Sequence, residues 1–318
     1  MPISFLDVSK IFFVRDNKPV LKNISFSLSA GHKLVIAGET GSGKSSLLKI
    51  IAGLEQPSDG AVWLDGKKVK GAGEQLVAGN PHIAYLSQHF ELSKFLRVEQ
   101  VLEYANHLST SAAKKIFSVC RINHLLKRKT DELSGGEKQR IAIARLLIQQ
   151  PRLLLLDEPY SHLDMPLKNI LKKVVEEIGR KLKISCVLVS HDPDDTLPWA
   201  NEIVVLKHGQ IVQRGNPTQI YSTPKNEYVA GLFGNYTVLD SKWIKKFGIK
   251  TSRKEIILRP ENFVIVKNGS KIVPGTIIGT QYHGHHTFVE IESSEKLFVV
   301  RADEDSYTLS GKVKIKIQ

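Results

Sequence analysis

The stretch Gly38–Ser46, GETGSGKSS, is the most informative part of this sequence for fold and function. An apolar run, Leu34–Ala37, precedes it, and a segment with helical apolar spacing begins at Leu47. This order predicts a strand, a glycine-rich turn and a helix, with turn N–H groups that cradle phosphates. The start of the helix adds unpaired amides and the positive end of its dipole. The stretch therefore predicts a nucleotide-binding site.

The polar side chains of this stretch have separate predicted roles. Lys44 can reach the β- and γ-phosphates as a point charge, and the Ser45 hydroxyl can bind Mg²⁺. The alternative is a glycine-rich turn without a ligand, and the full pattern arises by chance in about one per cent of chains this long. The predicted nucleotide-binding residues of the loop are Gly38, Glu39, Thr40, Gly41, Ser42, Gly43, Lys44, Ser45 and Ser46.

Length and composition describe a globular protein with room for two domains. The chain has 318 residues, 42% hydrophobic and 24% charged. No apolar run approaches the ~18 residues of a membrane-spanning helix, and the N-terminus lacks a signal pattern, so export is not expected. Cys120 and Cys186 match neither a metal cluster nor a disulfide framework, which favours a reducing cytosol. The net charge of +13 suits phosphate ligands, an anionic membrane surface or nucleic acid.

Two further predicted strands deliver polar residues at their carboxyl ends. The apolar run Arg152–Leu156 leads to Asp157 and Glu158, and Ile184–Ser190 leads to His191. Ligands of open α/β sheets bind outside these strand ends. We therefore expect Asp157 to face Mg²⁺ and Glu158 to face a water molecule. His191 is either a hydrogen-bonded loop residue or a donor to a phosphate.

A second potential anion site lies between these strands and the phosphate loop in the sequence. Ser134, Gly135 and Gly136 stand just before the apolar helix Ile141–Ile148. The alternative is a helix-capping serine followed by two loop glycines.

Two adjacent aromatic residues lie in the first predicted strand, residues 3–14. Phe12 and Phe13 precede the phosphate loop by about the distance needed to fold back over a bound base. One of the two is expected to lie in the core instead.

Taken in order, these elements resemble an ABC-type ATPase subunit over the whole chain. The combination of GETGSGKSS, LSGGEKQR at Leu133–Arg140 and LLLLDEP at Leu153–Pro159 is specific to that family. The resemblance implies an α/β P-loop NTPase cassette at 1–236, with a helical insert at about 89–150. It also implies a small all-β OB-like regulatory domain, of the kind called TOBE, at 237–318. The cofactors it implies are ATP and Mg²⁺.

The resemblance assigns roles to the motif residues. It implies that Glu158 acts as the general base, that His191 contacts the γ-phosphate and that Asp157 assists Mg²⁺. Gln88 would bridge the metal site and the transport partner, and His162 stands where the family more often has a small residue. Phe12 or Phe13 would stack on the adenine. Ser134, Gly135 and Gly136 would bind the γ-phosphate held by the other cassette of a head-to-tail dimer, and Asp164 would lie at the dimer interface.

The tail of the chain, from residue 208 onward, narrows the resemblance to importer ATPases. Residues 208–224, followed by RPENFV at Arg259–Val264, are similar to importers that carry a TOBE domain. This implies a homodimer (or a pair with a paralogous cassette) on the cytoplasmic face of the inner membrane. Its partners would be permease subunits and a separate substrate-binding protein. The stretch between Gln88 and Leu133 looks shorter than in such importers.

A soluble ATPase that acts on nucleic acid or ribosomes is the alternative function. Its OB-like domain would need aromatic residues on strands for base stacking. The tail has few, and three histidines at 283, 285 and 286 are more often solvated than metal-bound. Nucleic acid is therefore not an expected partner.

Overall fold

The computed structural model describes residues 5–88, 92–106, 108–161, 163–302 and 311–318. It divides into two compact units, Met1–Pro217 and Thr218–Gln318. Among the described residues, no helix combines the length and apolar character needed to cross a bilayer.

The first unit is mixed α/β. Its strands are β1 (Leu6–Arg15), β2 (Lys18–Leu28), β3 (Lys33–Ala37), β4 (Asp59–Leu64), β5 (Lys67–Lys68), β6 (Ile83–Leu86), β7 (Leu153–Asp157), β8 (Ser185–Val189), β9 (Glu202–Lys207) and β10 (Gln210–Gly215). Its helices are α1 (Lys44–Ile51), α2 (Val98–Glu103), α3 (Thr110–Val119), α4 (Gly135–Leu147), α5 (Met165–Glu177) and α6 (Pro193–Thr196). Short 3₁₀ turns lie at Ala72–Glu74, Asn123–Leu125 and Thr130–Glu132, and a π turn at Ile178–Leu182 extends α5.

A six-stranded sheet in the order β10-β9-β3-β8-β7-β6 forms the centre of this unit. Its inner neighbours run parallel, and only β10 pairs antiparallel, with β9. All five residues of β7 and of β8 are buried, as expected for strands covered on both faces. An antiparallel sheet, β2-β1-β4-β5, contributes to the same core. Because β3, β6, β7 and β8 are parallel, the segments that follow them leave the sheet at one edge.

The second unit contains the rest of the chain. Its helices are α7 (Pro217–Ser222, beginning at the boundary), α8 (Glu227–Leu232) and α9 (Ser241–Lys246), with a 3₁₀ turn at Pro260–Asn262. Its strands are β11 (Thr237–Asp240), β12 (Glu255–Leu258), β13 (Phe263–Val266), β14 (Val273–Tyr282), β15 (Thr287–Ser293), β16 (Lys296–Ala302) and β17 (Gly311–Ile317). The last five form one antiparallel sheet in the order β13-β17-β14-β15-β16.

The predicted β structure of the tail is confirmed in that sheet, but helix α9 was not predicted. Trp243 and Phe247 point into the core, where the Trp243 and Phe298 ring centroids lie 5.0 Å apart. The helix is only six residues long, too short for its apolar spacing to stand out from that of a strand.

The division between the two compact units lies at Pro217. The domain boundary expected from the sequence, 236/237, lies further along the chain and stays a prediction. Arg259 gives the physical reason for the division at Pro217. Its buried guanidinium donates to the carbonyls of Tyr221, Ala230 and Gly234 at 2.9 to 3.0 Å and stacks on the Tyr221 ring. These bonds attach α7 and α8 to the β structure of the second unit. They are long-range contacts that local sequence patterns do not show.

Candidate functional site

The phosphate loop follows β3 as predicted and leads directly into α1. Gly38 and Gly43 have φ values of 152° and 100°, in the region that favours glycine. A Cβ on Gly38 would lie 2.4 Å from the Leu206 carbonyl oxygen, and one on Gly43 would lie 2.7 Å from Leu21 Cδ2. Both glycines are therefore required by the close packing of the loop against neighbouring strands. Glu39, Thr40 and Gly41 are exposed at its tip.

Lys44 is held over the loop by the loop's own backbone. Its Nζ donates to the carbonyls of Gly38 and Glu39, both at 2.8 Å, and only 5% of the residue is exposed. Burial lowers the pKa of Lys44, while Glu158 and Asp157 oppose that shift through their negative charges. The lysine therefore lies in the field of both carboxylates, as a site for phosphate and metal requires.

Asp157 ends β7 and has a partner on each carboxylate oxygen. Ser45 Oγ donates to Oδ1 at 3.1 Å, and the Tyr85 hydroxyl donates to Oδ2 at 2.9 Å. Asp157 is 3% exposed. The structure thus brings together Ser45 and Asp157, two of the three side chains predicted for the Mg²⁺ site. Gln88, also predicted for the metal site, lies exposed just beyond β6.

Glu158 and His191 lie side by side, because β7 and β8 are adjacent and Asp157 pairs with Val189. His191 Nδ1 is 3.5 Å from Glu158 Oε1. The Glu158 backbone has a φ of 46°, uncommon for a residue with a side chain. Its N–H donates to the Val189 carbonyl at 3.0 Å, and Ser161 Oγ donates to its carbonyl at 2.7 Å. These bonds hold the carboxylate at the strand tip.

The signature segment begins a helix. Ser134 is the N-cap of α4 and exchanges hydrogen bonds with Glu137, as the capping alternative expects, but Gly135 and Gly136 lie in the helix rather than in a loop. The anion site stays a prediction. Ser134 and Gly135 are exposed, whereas Gly136 packs against Leu167, where an added Cβ would touch at 3.4 Å. The described contacts of these residues are to the starts of α4 and α5 rather than to the phosphate loop.

The other predicted ATP contacts come from β1 and from the start of α5. Phe12 is 37% exposed on β1 and Phe13 is 8% exposed, so Phe12 is the one left accessible to a base. Asp164 is the exposed N-cap of α5, and its Oδ1 accepts the Leu167 N–H at 3.0 Å. His162, singled out beside it, lies outside the described residues.

Sequence reasoning missed three residues that touch this site. Tyr85 supports Asp157, Lys168 bonds Asp192 next to His191, and the Gln139 side chain of α4 donates to the Pro159 carbonyl beside Glu158. The signals were weak: a hydroxyl in an otherwise apolar strand, a lysine in a charged helix and a glutamine within the signature.

Features outside the site include the tail histidines. The rings of His283 and His286 stack at 5.2 Å. In the part of the chain that the structure describes, no group of three or more His, Cys, Asp or Glu side chains could hold a metal ion. Cys120 and Cys186 are buried and unpaired, and burial raises the pKa of each thiol to about 12.

Comparison with known proteins places this site in a family. A family model described as ABC transporter matches residues 21–161. The spermidine/putrescine import ATP-binding protein PotA of Legionella pneumophila (strain Philadelphia 1) is 30% identical over 326 residues, covering 92% of this chain and 88% of that protein. The Fe(3+) ions import ATP-binding protein FbpC 2 of Haemophilus influenzae is 32% identical over 301 residues, covering 87% of this chain and 85% of that protein.

Solved structures agree on the fold. The cbiO1 protein of Clostridium perfringens, part of the ABC transporter complex cbiONQ, has a TM-score of 0.60 at 25% identity and covers 68% of this chain and 90% of that one. The ATP-binding cassette MJ0796, solved as a dimer with ADP and Pi, has a TM-score of 0.57 at 24% identity, covering 67% and 98%. The predicted P-loop cassette with a separate β domain is confirmed. The chain therefore belongs to the ABC transporter family, as one of its ATP-binding proteins.

Proposed function

We propose that this chain is the ATP-hydrolysing subunit of an importer, in which two cassettes close head-to-tail around two ATP molecules. The observation that carries the proposal is the contact of Glu158 with His191 at the sheet edge that also holds Lys44 and Asp157. Phosphoryl transfer to water needs mainly positioning and charge stabilisation, and these groups supply both. The relatives named as import ATP-binding proteins support the direction of transport.

Nucleotide binding follows from the loop. The N–H groups of residues 38–46 surround the phosphates, and Lys44 exchanges its bonds to the Gly38 and Glu39 carbonyls for phosphate oxygens. Phe12, the accessible aromatic residue, stacks on the adenine.

The residues present fit Mg²⁺. Ser45 and Asp157 offer a hydroxyl and a carboxylate oxygen 3.1 Å apart, and Mg²⁺ prefers such ligands together with phosphates and water. Gln88 is the third proposed residue, at the exposed end of the segment after β6. When bound, Mg²⁺ neutralises charge on the phosphate oxygens.

Hydrolysis is assigned to the pair at the strand tips. Glu158 accepts a proton from the attacking water, and His191 donates a hydrogen bond to the γ-phosphate. The 3.5 Å contact orients each side chain relative to the other. The carboxylate is fixed through its backbone, whereas the His191 side chain is 65% exposed and free to meet a phosphate.

A dimer completes each site. Ser134 and Gly135 are exposed at the start of α4, where unpaired amides favour an anion. We propose that they bind, with Gly136, the γ-phosphate held by the other cassette, and that Asp164 lies at the seam. The MJ0796 cassette, solved as a dimer with ADP and Pi, supports a dimer.

The remaining partners follow from transport. Permease subunits would receive the motion of the cassettes at the cytoplasmic face of the cell membrane, and a substrate-binding protein would deliver cargo. The two relatives are named for polyamines and for ferric ion, so the cargo depends on those subunits. From the family resemblance we assign residues 1–236 to the cassette, including α7 and α8, which belong to the second compact unit, and residues 237–318 to a regulatory OB-like domain.

Purification of the tagged chain from its native host in mild detergent tests the proposal. We expect integral membrane proteins to co-purify and RNA to remain at the level of a tag-only control. Enrichment of RNA without membrane proteins would instead support the nucleic-acid function, which the relatives do not favour.

Tyr85→Phe is expected to raise the Mg²⁺ concentration for half-maximal ATPase activity by on the order of 10-fold, because the Asp157 carboxylate loses the donor on Oδ2. Mn²⁺ binding in the presence of ATP, followed by electron paramagnetic resonance, gives a readout independent of turnover. Tyr104→Phe, at a 76% exposed tyrosine, is the matched control. An unchanged metal dependence in both variants would remove Tyr85 from the metal site.

A further inference from the structure

Helix α5 carries a lysine to the segment behind His191. Lys168 lies one turn after the N-cap Asp164, and 12% of its side chain is exposed. Its Nζ bonds Asp192 Oδ2 and lies 2.8 Å from Asp195 Oδ1. Asp192 follows His191 directly, so the lysine holds the backbone next to the histidine.

The two carboxylates are fixed in turn. Asp195 is 3% exposed, and its Oδ1 also lies 2.7 Å from Lys172 Nζ. Asp192 caps α6 by accepting the Asp194 N–H at 2.9 Å, and its own N–H donates to Ser190 Oγ at 3.2 Å. The residues on both sides of His191 are therefore anchored, although the imidazole itself is largely exposed.

The same lysine borders the reacting groups. Glu158, His191 and Lys168 line one cavity of about 140 Å³, together with Asp192 and Asp195. An exposed ion pair contributes little to positioning, because solvent screens it and its side chains stay mobile. Lys168 differs from such pairs, because it is largely buried and forms ion pairs with two carboxylates from a different element.

We propose that Lys168 is a positioning residue that sets the place of His191 relative to Glu158. The inference rests on the proposed function, in which both residues act on ATP. In this proposal Lys168 acts through His191 rather than on the nucleotide. Its ammonium fixes Asp192 and Asp195, and these residues fix the backbone at His191, so that the exposed imidazole is presented close to Glu158. Small displacements of such groups lower turnover more than they lower binding.

Steady-state ATPase assays of Lys168→Met, with Lys168→Arg and Lys173→Met beside it, test this assignment. Lys173 is an exposed lysine on the same helix and serves as the matched control. We expect Lys168→Met to lower kcat about 10-fold and to leave ATP affinity within about 2-fold. Lys168→Arg should restore most of the turnover, because a cation of similar reach remains. Equal kcat for the Met variants at both positions would overturn the proposal.

A double-mutant cycle with His191→Ala separates positioning from a general effect on folding. If Lys168 acts through the histidine, Lys168→Met changes kcat less than about 2-fold in the His191→Ala background. A 10-fold loss in both backgrounds would assign Lys168 a structural role and overturn the inference. A His191→Ala protein with wild-type turnover would instead contradict the proposed role of His191.

Asp192→Asn covers the case in which Lys168→Met does not fold. The amide can still cap α6 but no longer carries the charge that Lys168 holds. We expect Asp192→Asn to lower kcat by about the same factor as Lys168→Met. When His191 is already alanine, we expect Asp192→Asn to leave kcat unchanged. Wild-type kcat for folded Asp192→Asn would overturn the proposal.

Discussion

Replacing Lys44 with alanine is expected to lower ATP hydrolysis by on the order of 10³-fold and to weaken nucleotide binding. The lysine is the only cation placed in the phosphate loop by residues 38–46, and its Nζ now bonds two loop carbonyls at 2.8 Å. Without it, the charge on the β- and γ-phosphates has no counter-charge from the loop. Turnover assays and titration with a fluorescent ATP analogue measure the two losses separately.

Lys49→Ala is the control for Lys44→Ala. Lys49 lies on the same helix with 40% of its side chain exposed, so its loss alters the surface but not the loop. We expect wild-type turnover from Lys49→Ala and a folded protein from both variants, checked by thermal unfolding. Normal hydrolysis by folded Lys44→Ala would contradict the assignment of the phosphate loop.

Replacing Glu158 with glutamine is expected to separate ATP binding from hydrolysis. The amide keeps the shape and the backbone bonds to Val189 and Ser161, but it cannot accept a proton. Hydrolysis should fall on the order of 10²-fold or more. Since ATP is then not consumed, the two cassettes should stay closed around it, and size-exclusion chromatography with ATP should show a longer-lived dimer than wild type.

Glu103→Gln supplies the matched control, because Glu103 is an exposed carboxylate on α2. It should hydrolyse ATP and elute as wild type does. A monomeric Glu158→Gln protein with normal turnover would argue against both the general base and the head-to-tail dimer. A monomer without turnover would leave the base in place and contradict the dimer alone.

The order of motifs made much of the cassette predictable. Strand, glycine turn and helix at Leu34–Ile51 depend on local periodicity and on glycine conformations, and both are properties of a few consecutive residues. The placement of Asp157 and Glu158 at a strand tip was predictable for the same reason, since an apolar run ends just before them. The roles of these residues stay predictions until the variants above are measured.

Contacts between segments were not predictable in this way. The 3.5 Å contact between His191 and Glu158 requires β7 and β8 to be neighbours in the sheet. Local sequence patterns predict the two strands but not their order in the sheet. The bond from Tyr85 to Asp157 likewise depends on β6 pairing with β7. In the sequence, Lys168 is one of several lysines on a charged helix. Only the packing of α5 against the segment after β8 brings it to Asp192 and Asp195.

The candidate residues for phosphate, metal and adenine binding were predictable from the sequence, because each of these functions needs particular side chains at fixed local spacing. The sequence also predicted that one of Phe12 and Phe13 lies in the core. Which of the two is buried, and where the second unit begins, could be seen only in the folded structure. The reason is physical: burial and bonds such as those of Arg259 depend on segments far apart in the chain, which meet only when the core forms.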